Sequence, residues 1–255
     1  MKLNHTTWIV MGVLATATAF GEASYSPNLV FDQAHSAYVA GNYAEARAGY
    51  RDLIDHGYAT METWYNLANV AFHDGRLGEA IVYYRRAWML NPRDADVMAN
   101  LQLAVQRTGA AMPELRAIDR IAQEMNVSEW RFLMLTGYWL AIASVALGLG
   151  LPALRRVTRP LALLGGLAGL IGLGGWLYWL TWIKQTEAVI TQGDQTALYE
   201  PRPNATAYFA LPEGSLVRIE DTFDSWLKVR SGDRSGWIMK TAAERVYPWH
   251  DAEMK

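Results

Sequence analysis

The stretch 41-GNYAEA-46 decides the fold of the N-terminal part of the chain, because it returns 34 residues later as 75-GRLGEA-80. The same offset maps Tyr50 onto Tyr84. Each copy has a glycine that suits a tight turn and, five residues later, a small alanine that allows two helices to approach closely. The sequence therefore predicts stacked helical hairpins over residues 24–108.

The second unit carries the fuller pattern of large and small residues at helical spacing. These residues are Trp64, Leu67, Ala68, Ala71, Gly75, Ala80, Tyr84, Ala87 and Pro92. The pattern resembles the tetratricopeptide repeat, a helix–turn–helix unit. A third unit begins at Asp94 but lacks the glycine turn, so we expect it to be a single capping helix over Ala95 to Arg107.

The resemblance implies a concave face that binds peptides or proteins, lined by the first helix of each unit. The residues expected on this face are Phe31, His35, Tyr38, Glu62, Tyr65, Asn69, Phe72, His73, Ala99, Asn100 and Leu103. In this family, asparagines at the positions of Asn69 and Asn100 often hold a ligand backbone. Tyr65 and Asp96 stand where a carboxylate-binding member would have cations, which argues against a carboxylate clamp. The alternative is that Tyr65 and Phe72 only pack and that Asn69 is a surface polar residue.

The regions on either side of the repeats carry weaker signals. Residues 1–23 are typical of an export signal, with Lys2 before a short apolar core and small residues suited to cleavage after Ala19 or Ala23. An uncleaved anchor is the alternative, and both would send the following residues across a membrane. In the connector, residues 109–131, the amphipathic stretch Glu114–Met125 has mixed charges, which favours packing on the array over lying on a membrane surface.

Two long uncharged stretches follow, Phe132–Leu154 with 23 residues and Pro160–Ile183 with 24. Each is long enough to cross the hydrocarbon core of a bilayer. The link between them, residues 155–159, is expected to be a basic cytoplasmic loop. Its charges are Arg155, Arg156 and Arg159. The sequence thus predicts a two-pass hairpin in a bacterial inner membrane, with the N-terminal and C-terminal modules on the periplasmic side.

Small residues recur on one face of each predicted span. They are Gly137, Ala141, Ser144 and Gly148 in the first span, and Gly165, Gly169 and Gly172 in the second. Such stripes let helix backbones approach closely in lipid. Two interpretations remain open: the hairpin packs on itself, or it docks against a membrane helix of another protein.

From Glu187 the pattern changes to short strands separated by turn residues. The expected strands are Ala188–Ile190, Thr196–Tyr199, Leu216–Ile219, Trp226–Val229 and Gly236–Ile238. Short strands in so short a segment favour a small barrel. The succession LPEGSLVRI, SWLKVRSGDRSGWI and ERV resembles the bacterial SH3-like domain, which we expect over residues 187–248, followed by a tail, residues 249–255.

Four aromatic residues are candidates for the surface of this C-terminal domain: Tyr199, Tyr208, Trp226 and Trp237. They could stack against a peptide or a cell-wall polymer. The alternative is that one or both tryptophans pack the barrel and its loops. The sequence does not separate these interpretations.

The composition limits the chemistry of the protein. The absence of cysteine excludes disulfides, a thiol nucleophile and a cysteine-ligated metal, and the net charge of -2 argues against a basic nucleic-acid binder. The chain contains no nucleotide-binding or hydrolase motif of a familiar type. We therefore expect a non-catalytic protein without a cofactor or a metal.

The order of modules predicts a multidomain membrane protein: signal, tetratricopeptide array, transmembrane hairpin and small all-β SH3-like barrel. This order resembles the BatE-like proteins of bacterial aerotolerance operons. The resemblance implies a scaffold or adaptor that works beside von Willebrand factor type A membrane proteins and a MoxR-type ATPase. The alternative is a cell-wall-binding protein whose SH3-like domain holds peptidoglycan.

Overall fold

The computed structural model describes residues 25–110, 121–122, 124–180 and 187–247. The expected signal, residues 1–23, and the expected tail, residues 249–255, lie outside the described residues. So do most of the amphipathic stretch Glu114–Met125 and the end of the second predicted span, residues 181–183.

The N-terminal module is a succession of five helices, with bounds α1 Pro27–Val39, α2 Tyr43–Asp55, α3 Met61–His73, α4 Leu77–Leu90 and α5 Ala95–Thr108. The turns within the two hairpins place Gly41 and Gly75 at φ values of 79° and 78°, a conformation that residues with a Cβ rarely adopt. Helix α5 begins at Asp94, whose side chain accepts hydrogen bonds from the first backbone N–H groups of the helix. It ends at Gly109 in the left-handed conformation, so α5 occupies the place expected for the capping helix.

Helix α4 lies at the centre of the molecule. From Gly78 to Met89 every residue except Glu79 is buried. Helices α3 and α5 pack on it from within the array, and strands of the C-terminal sheet pack on it from outside. Its buried side chains include two arginines, Arg85 and Arg86, which is unusual for a residue type that is mostly exposed.

The hairpin consists of α6 (Val127–Gly150), a single 3₁₀ turn (Pro152–Leu154) and α7 (Arg155–Tyr178). Both helices are long and apolar enough to cross a membrane. Helix α6 begins five residues before the predicted span, because Asn126 and Glu129 form a capping box that satisfies its first turn.

The structure places the three arginines of residues 155–159 in the first turns of α7, whereas the sequence suggested a loop. Pro152 has no N–H group to continue α6, and it suits the first position of a new helical turn. The link between the helices is therefore Leu151 and the 3₁₀ turn. Arg155 also folds back across the link, and its Nε donates to the carbonyl oxygen of Gly148 at 3.0 Å.

The small-residue stripes of the two helices face each other. A Cβ added to Gly137 would lie 2.6 Å from the carbonyl oxygen of Gly165, and one added to Gly172 would lie 2.7 Å from the Cα of Met134. Ser144 is buried in the same seam. The stripes therefore pack the two helices of the hairpin against each other, which agrees with the first of the two interpretations.

The C-terminal module is a seven-stranded antiparallel sheet with the order β3-β2-β6-β5-β4-β1-β7. The strands are β1 Glu187–Ile190, β2 Gln195–Leu198, β3 Ala207–Leu211, β4 Leu216–Phe223, β5 Trp226–Ser231, β6 Arg234–Met239 and β7 Ala243–Arg245. Strands β3 and β7 were not among the five expected strands, although β7 overlaps the ERV segment. Side chains such as Ile190, Val229 and Ile238 form a core of their own within the sheet.

The sheet is antiparallel, as expected, but it is not closed into a barrel, because β3 and β7 are its two edges and do not pair with each other. The reason lies in α4, which engages the free side of the last strand. Arg86 donates from Nη2 to the carbonyl oxygen of Arg245 at 2.8 Å and from Nε to that of Val246 at 2.9 Å. A helix thus covers the edge that a closed barrel would have paired.

The repeat array and the sheet lie at the same end of the hairpin. The rings of Trp88 in α4 and Trp179, the residue after α7, are 6.4 Å apart, and the indole N–H groups of Trp130 and Trp179 both donate to the carbonyl oxygen of Ala122. The arginines at the start of α7 occupy the opposite end of the hairpin.

Candidate protein-binding groove

Side-chain contacts connect several of the residues expected on the concave face across α1, α3 and α5. The rings of Tyr38 in α1 and His73 in α3 are 5.7 Å apart. Between α3 and α5, Asn100 donates from Nδ2 to the hydroxyl oxygen of Tyr65 at 2.7 Å. The three first helices of the repeats therefore present one connected surface.

Aromatic rings dominate the end of this row where α1 meets α3. Phe31 packs edge-on against Tyr50, with ring centroids 5.6 Å apart, and His35 lies 6.3 Å from Tyr38. His35 is exposed, whereas Tyr38 is half-buried. Burial raises the pKa of Tyr38 above its ordinary value.

The two asparagines are each tied into the array by one end of the side-chain amide. The Oδ1 of Asn69 accepts a hydrogen bond of 2.6 Å from the hydroxyl of Tyr84, and Asn100 binds Tyr65 as described. Tyr84 is buried, and burial raises the pKa of its hydroxyl well above the ordinary value. Asn69 is therefore tied to the core of the array through Tyr84. The amide atoms that could bind a ligand backbone are Nδ2 of Asn69 and Oδ1 of Asn100.

Two further residues belong to the row, although the sequence did not indicate them. Tyr43, the first residue of α2, stacks on His73 with centroids 5.9 Å apart. Arg107, in the last turn of α5, places its guanidinium 4.6 Å from the centre of the half-buried Phe72 ring. Tyr43 corresponds to Leu77 in the second unit, so the repeat offers no aromatic signal there, and Arg107 resembles any cation near a helix C-terminus.

Replacing Asn69 by alanine should destabilise the array. The substitution leaves the buried hydroxyl of Tyr84 without its acceptor, and an unsatisfied buried donor costs about 1–3 kcal/mol. We expect a lower midpoint of thermal unfolding for the full chain in detergent. If Asn69 were an exposed polar residue, as the sequence alone suggests, the substitution would change the free energy of unfolding by no more than about 0.5 kcal/mol.

The matched control is the double variant Asn69→Ala/Tyr84→Phe, which removes both partners of the hydrogen bond. Its stability should return toward that of the parent, because deleting both ends of a buried hydrogen bond can be nearly neutral. If the single and double variants lose the same amount of stability, this hydrogen bond does not explain the effect of Asn69→Ala.

The four aromatic candidates of the sheet fall into two groups. Tyr199 and Tyr208 stack on each other with centroids 4.1 Å apart, and their exposed fractions are 55% and 38%. Trp226 is only 8% exposed and packs within the module, and the half-buried Trp237 pairs with Leu198 of β2. The tyrosine pair is thus the part of this set that is available to a ligand.

Among residues 25–110, 121–122, 124–180 and 187–247, no three histidine, aspartate or glutamate side chains come together in a way that could hold a metal ion.

Comparison with known proteins supports the helical module. Residues 31–95, from α1 to the first residue of α5, match the family model of the tetratricopeptide repeat. A search of curated proteins found no match for the chain. The protein therefore carries tetratricopeptide repeats, which suggest interaction with other proteins.

Proposed function

We propose that the protein is a non-catalytic membrane scaffold that binds a partner protein in the groove formed by α1, α3 and α5. The observation that carries the proposal is the connected row of exposed and half-buried side chains on these helices. On the opposite face of the array, α4 is not available in the same way, because it is buried and strands of the sheet pack on it. The repeat family supports a protein as the ligand.

The groove favours an extended segment with an aromatic or apolar side chain at the α1–α3 end. The rings of Tyr38, Tyr43 and His73 form a surface on which such a side chain can stack. At the α3–α5 end, the amides of Asn69 and Asn100 can bind the backbone of the segment. The positions where other members bind a terminal carboxylate hold no cation, so an internal segment fits better than a C-terminus.

Site-specific photo-crosslinking in intact membranes tests the groove. A photoreactive residue at His35, which is exposed on α1, should capture a partner protein. The same residue at Asp55, which is exposed at the end of α2 and lies outside the row, should capture little or nothing. Capture from Asp55 but not from His35 would place the binding surface elsewhere.

For the location, we propose a bacterial inner membrane with the repeats and the sheet on the periplasmic side. Support comes from the two long apolar helices and from the arginines at the end of the hairpin opposite both modules. A reporter that is active only outside the cytoplasm should be active when fused after Lys255. The same reporter fused at Thr158 should be silent, and the reverse pattern would contradict this orientation.

The SH3-like assignment of the sheet and the BatE-like assignment of the chain belong to this proposal as well. They rest on the order of strands and of modules, and they make von Willebrand factor type A membrane proteins and a MoxR-type ATPase the first candidates for the captured partner. Identification of the adduct from His35 by mass spectrometry tests these candidates directly.

The exposed tyrosine pair favours a second candidate function, binding of peptidoglycan by the sheet. Sugar rings commonly stack on exposed aromatic faces, and Tyr199 and Tyr208 offer such faces on one surface. Sedimentation of the full chain with purified peptidoglycan distinguishes the candidates. If the protein is only a scaffold, the parent chain should co-sediment no more than a Tyr199→Ala/Tyr208→Ala variant. Greater co-sedimentation of the parent chain would support binding of peptidoglycan by the tyrosine pair.

A further inference from the structure

The two repeat units place equivalent residues around the buried tyrosine of their second helix. Three positions correspond at the offset of 34 residues: Phe31, His35 and Tyr50 in the first unit, and Tyr65, Asn69 and Tyr84 in the second. In each unit the ring from the first helix packs on the buried tyrosine, with centroids 5.6 Å apart in the first unit and 5.9 Å apart in the second. The surroundings of the two tyrosines are therefore alike.

The two units differ in one hydrogen bond. In the second unit, the hydroxyl of Tyr84 donates to Oδ1 of Asn69 at 2.6 Å. In the first unit, the hydroxyl of Tyr50 is buried and has no hydrogen-bond partner among the residues that the structure describes. His35, which stands at the position of Asn69, is exposed. A buried donor without an acceptor costs free energy, so the first unit gains stability when an acceptor reaches this hydroxyl.

The side chain of His35 carries an acceptor at a suitable distance from the backbone. Nδ1 of histidine and Oδ1 of asparagine are both bonded to Cγ, so the two atoms reach equally far from the helix. The ring of His35 lies 6.3 Å from that of Tyr38, which is a loose contact, and exposed side chains change rotamer within picoseconds to nanoseconds. The imidazole can therefore turn inward and accept from Tyr50, as Asn69 accepts from Tyr84.

We propose that His35 is a pH-sensitive latch at the α1 end of the groove, closed when its neutral imidazole accepts a hydrogen bond from Tyr50. In the open position, which the structure shows, the imidazole is exposed on the groove, where a partner segment can contact it. The imidazolium form has two N–H donors and no acceptor, so acid should hold the latch open. The inference rests on the proposed function for its consequence, because it makes access to the α1 end of the binding groove depend on pH.

Other titratable groups lie close to His35, and the experiment has to cancel their effects. They are Asp32 and Tyr38 one turn away on α1, Tyr50 on α2, and Tyr65 and His73, which reach Tyr38 from α3. A comparison in which every protein keeps Asp32, Tyr38, Tyr65 and His73 removes their direct contributions. What remains is the coupling between the two members of the latch.

The test is a double-mutant cycle of the full chain in detergent, with His35→Ala, Tyr50→Phe and their combination, measured as melting temperature at about pH 8 and about pH 5. At the higher pH, Tyr50→Phe should lower the melting temperature of the parent by about 2–4 °C, because it removes one hydrogen bond. In the His35→Ala background, the same change should leave the melting temperature unchanged or raise it, because the hydroxyl has no acceptor there. At the lower pH the two backgrounds should respond alike, because the imidazole is protonated.

His35→Asn is the matched variant, because asparagine keeps an acceptor at this position and does not titrate. In this background, Tyr50→Phe should lower the melting temperature at both pH values. The proposal is overturned if Tyr50→Phe has the same effect with and without His35 at the higher pH, or if their coupling persists at the lower pH. It is also overturned if Tyr50→Phe has no effect in the His35→Asn background, since an acceptor at this position would then not reach the hydroxyl.

These measurements contain no partner protein, so the latch and the proposed groove are tested separately. Absence of the coupling, with photo-crosslinking from position 35 intact, overturns the latch alone. Presence of the coupling, with no capture from position 35, supports the latch and contradicts the groove as the binding surface.

Discussion

Replacing Gly172 by leucine should separate the two helices of the hairpin. A Cβ at this position would lie 2.7 Å from the Cα of Met134 and also against its backbone nitrogen, and backbone atoms cannot move aside as a flexible side chain would. Overpacking of a close contact typically costs about 1–3 kcal/mol, and we expect the upper end of this range because relief requires the whole seam to open. The measurement is the melting temperature of the full chain in detergent.

Gly174→Leu provides the control, because a Cβ at Gly174 would meet nothing within 4 Å. It makes the same chemical change two residues away on the same helix, so any general effect of leucine on helix α7 is common to both variants. Only Gly172→Leu should lower the melting temperature strongly. Similar behaviour of the two variants would contradict the hairpin seam described here and would favour docking of the stripe on another protein.

Arg86→Met should release the sheet from the repeat array. The variant keeps most of the side-chain volume but removes the donors to the carbonyl oxygens of Arg245 and Val246 and to the carboxylate of Glu244. It also removes the guanidinium from above the Trp64 ring, 4.7 Å from its centre. Each of the two carbonyl oxygens loses a hydrogen bond from a charged donor, and such a bond is worth about 1.5–3 kcal/mol, whereas the partly exposed Glu244 can be hydrated.

The measurement for this prediction is hydrogen exchange of the full chain followed by mass spectrometry. A loss of about 3 kcal/mol corresponds to a roughly hundredfold faster exchange of the amides in β1 and β7, the strands that contact α4. Arg93→Met is the control, because Arg93 forms an exposed ion pair with Glu129, worth at most about 1 kcal/mol. Unchanged exchange in the Arg86 variant would show that apolar packing alone holds the modules together.

The helical part of the fold could be predicted because its determinants are local. Gly41 and Gly75 mark turns through their backbone conformation, and Ala80 marks a close approach of helices through its size. The same holds for the hairpin, where length and the absence of charge are sufficient. The groove stays a prediction from the repeat register, and its internal hydrogen bonds carried no sequence signal.

The relation between the modules could not be predicted in the same way. In the sequence, Arg85 and Arg86 look like a solvated part of a helix surface, and nothing marks their acceptors. Arg85 binds Glu187 through two hydrogen bonds of 2.8 and 2.7 Å, and Arg86 binds residues still later in the chain. Contacts so distant in sequence leave no periodic pattern. These contacts hold the edge strand β7 against α4, and the strand pattern alone gave no sign that the sheet would stay open there.

The burial of α4 has a consequence for the synthesis of the protein. The acceptors for Arg86 lie 158–160 residues after it, so they emerge from the ribosome long after α4 itself has formed. Until then, the outer side of α4 presents an uncovered apolar surface with two cations that have no partners in the sheet. Strand β7 can therefore cover α4 only late in synthesis. A nascent or truncated protein that lacks it exposes the kind of surface that chaperones and proteases recognise, whereas the finished chain conceals it.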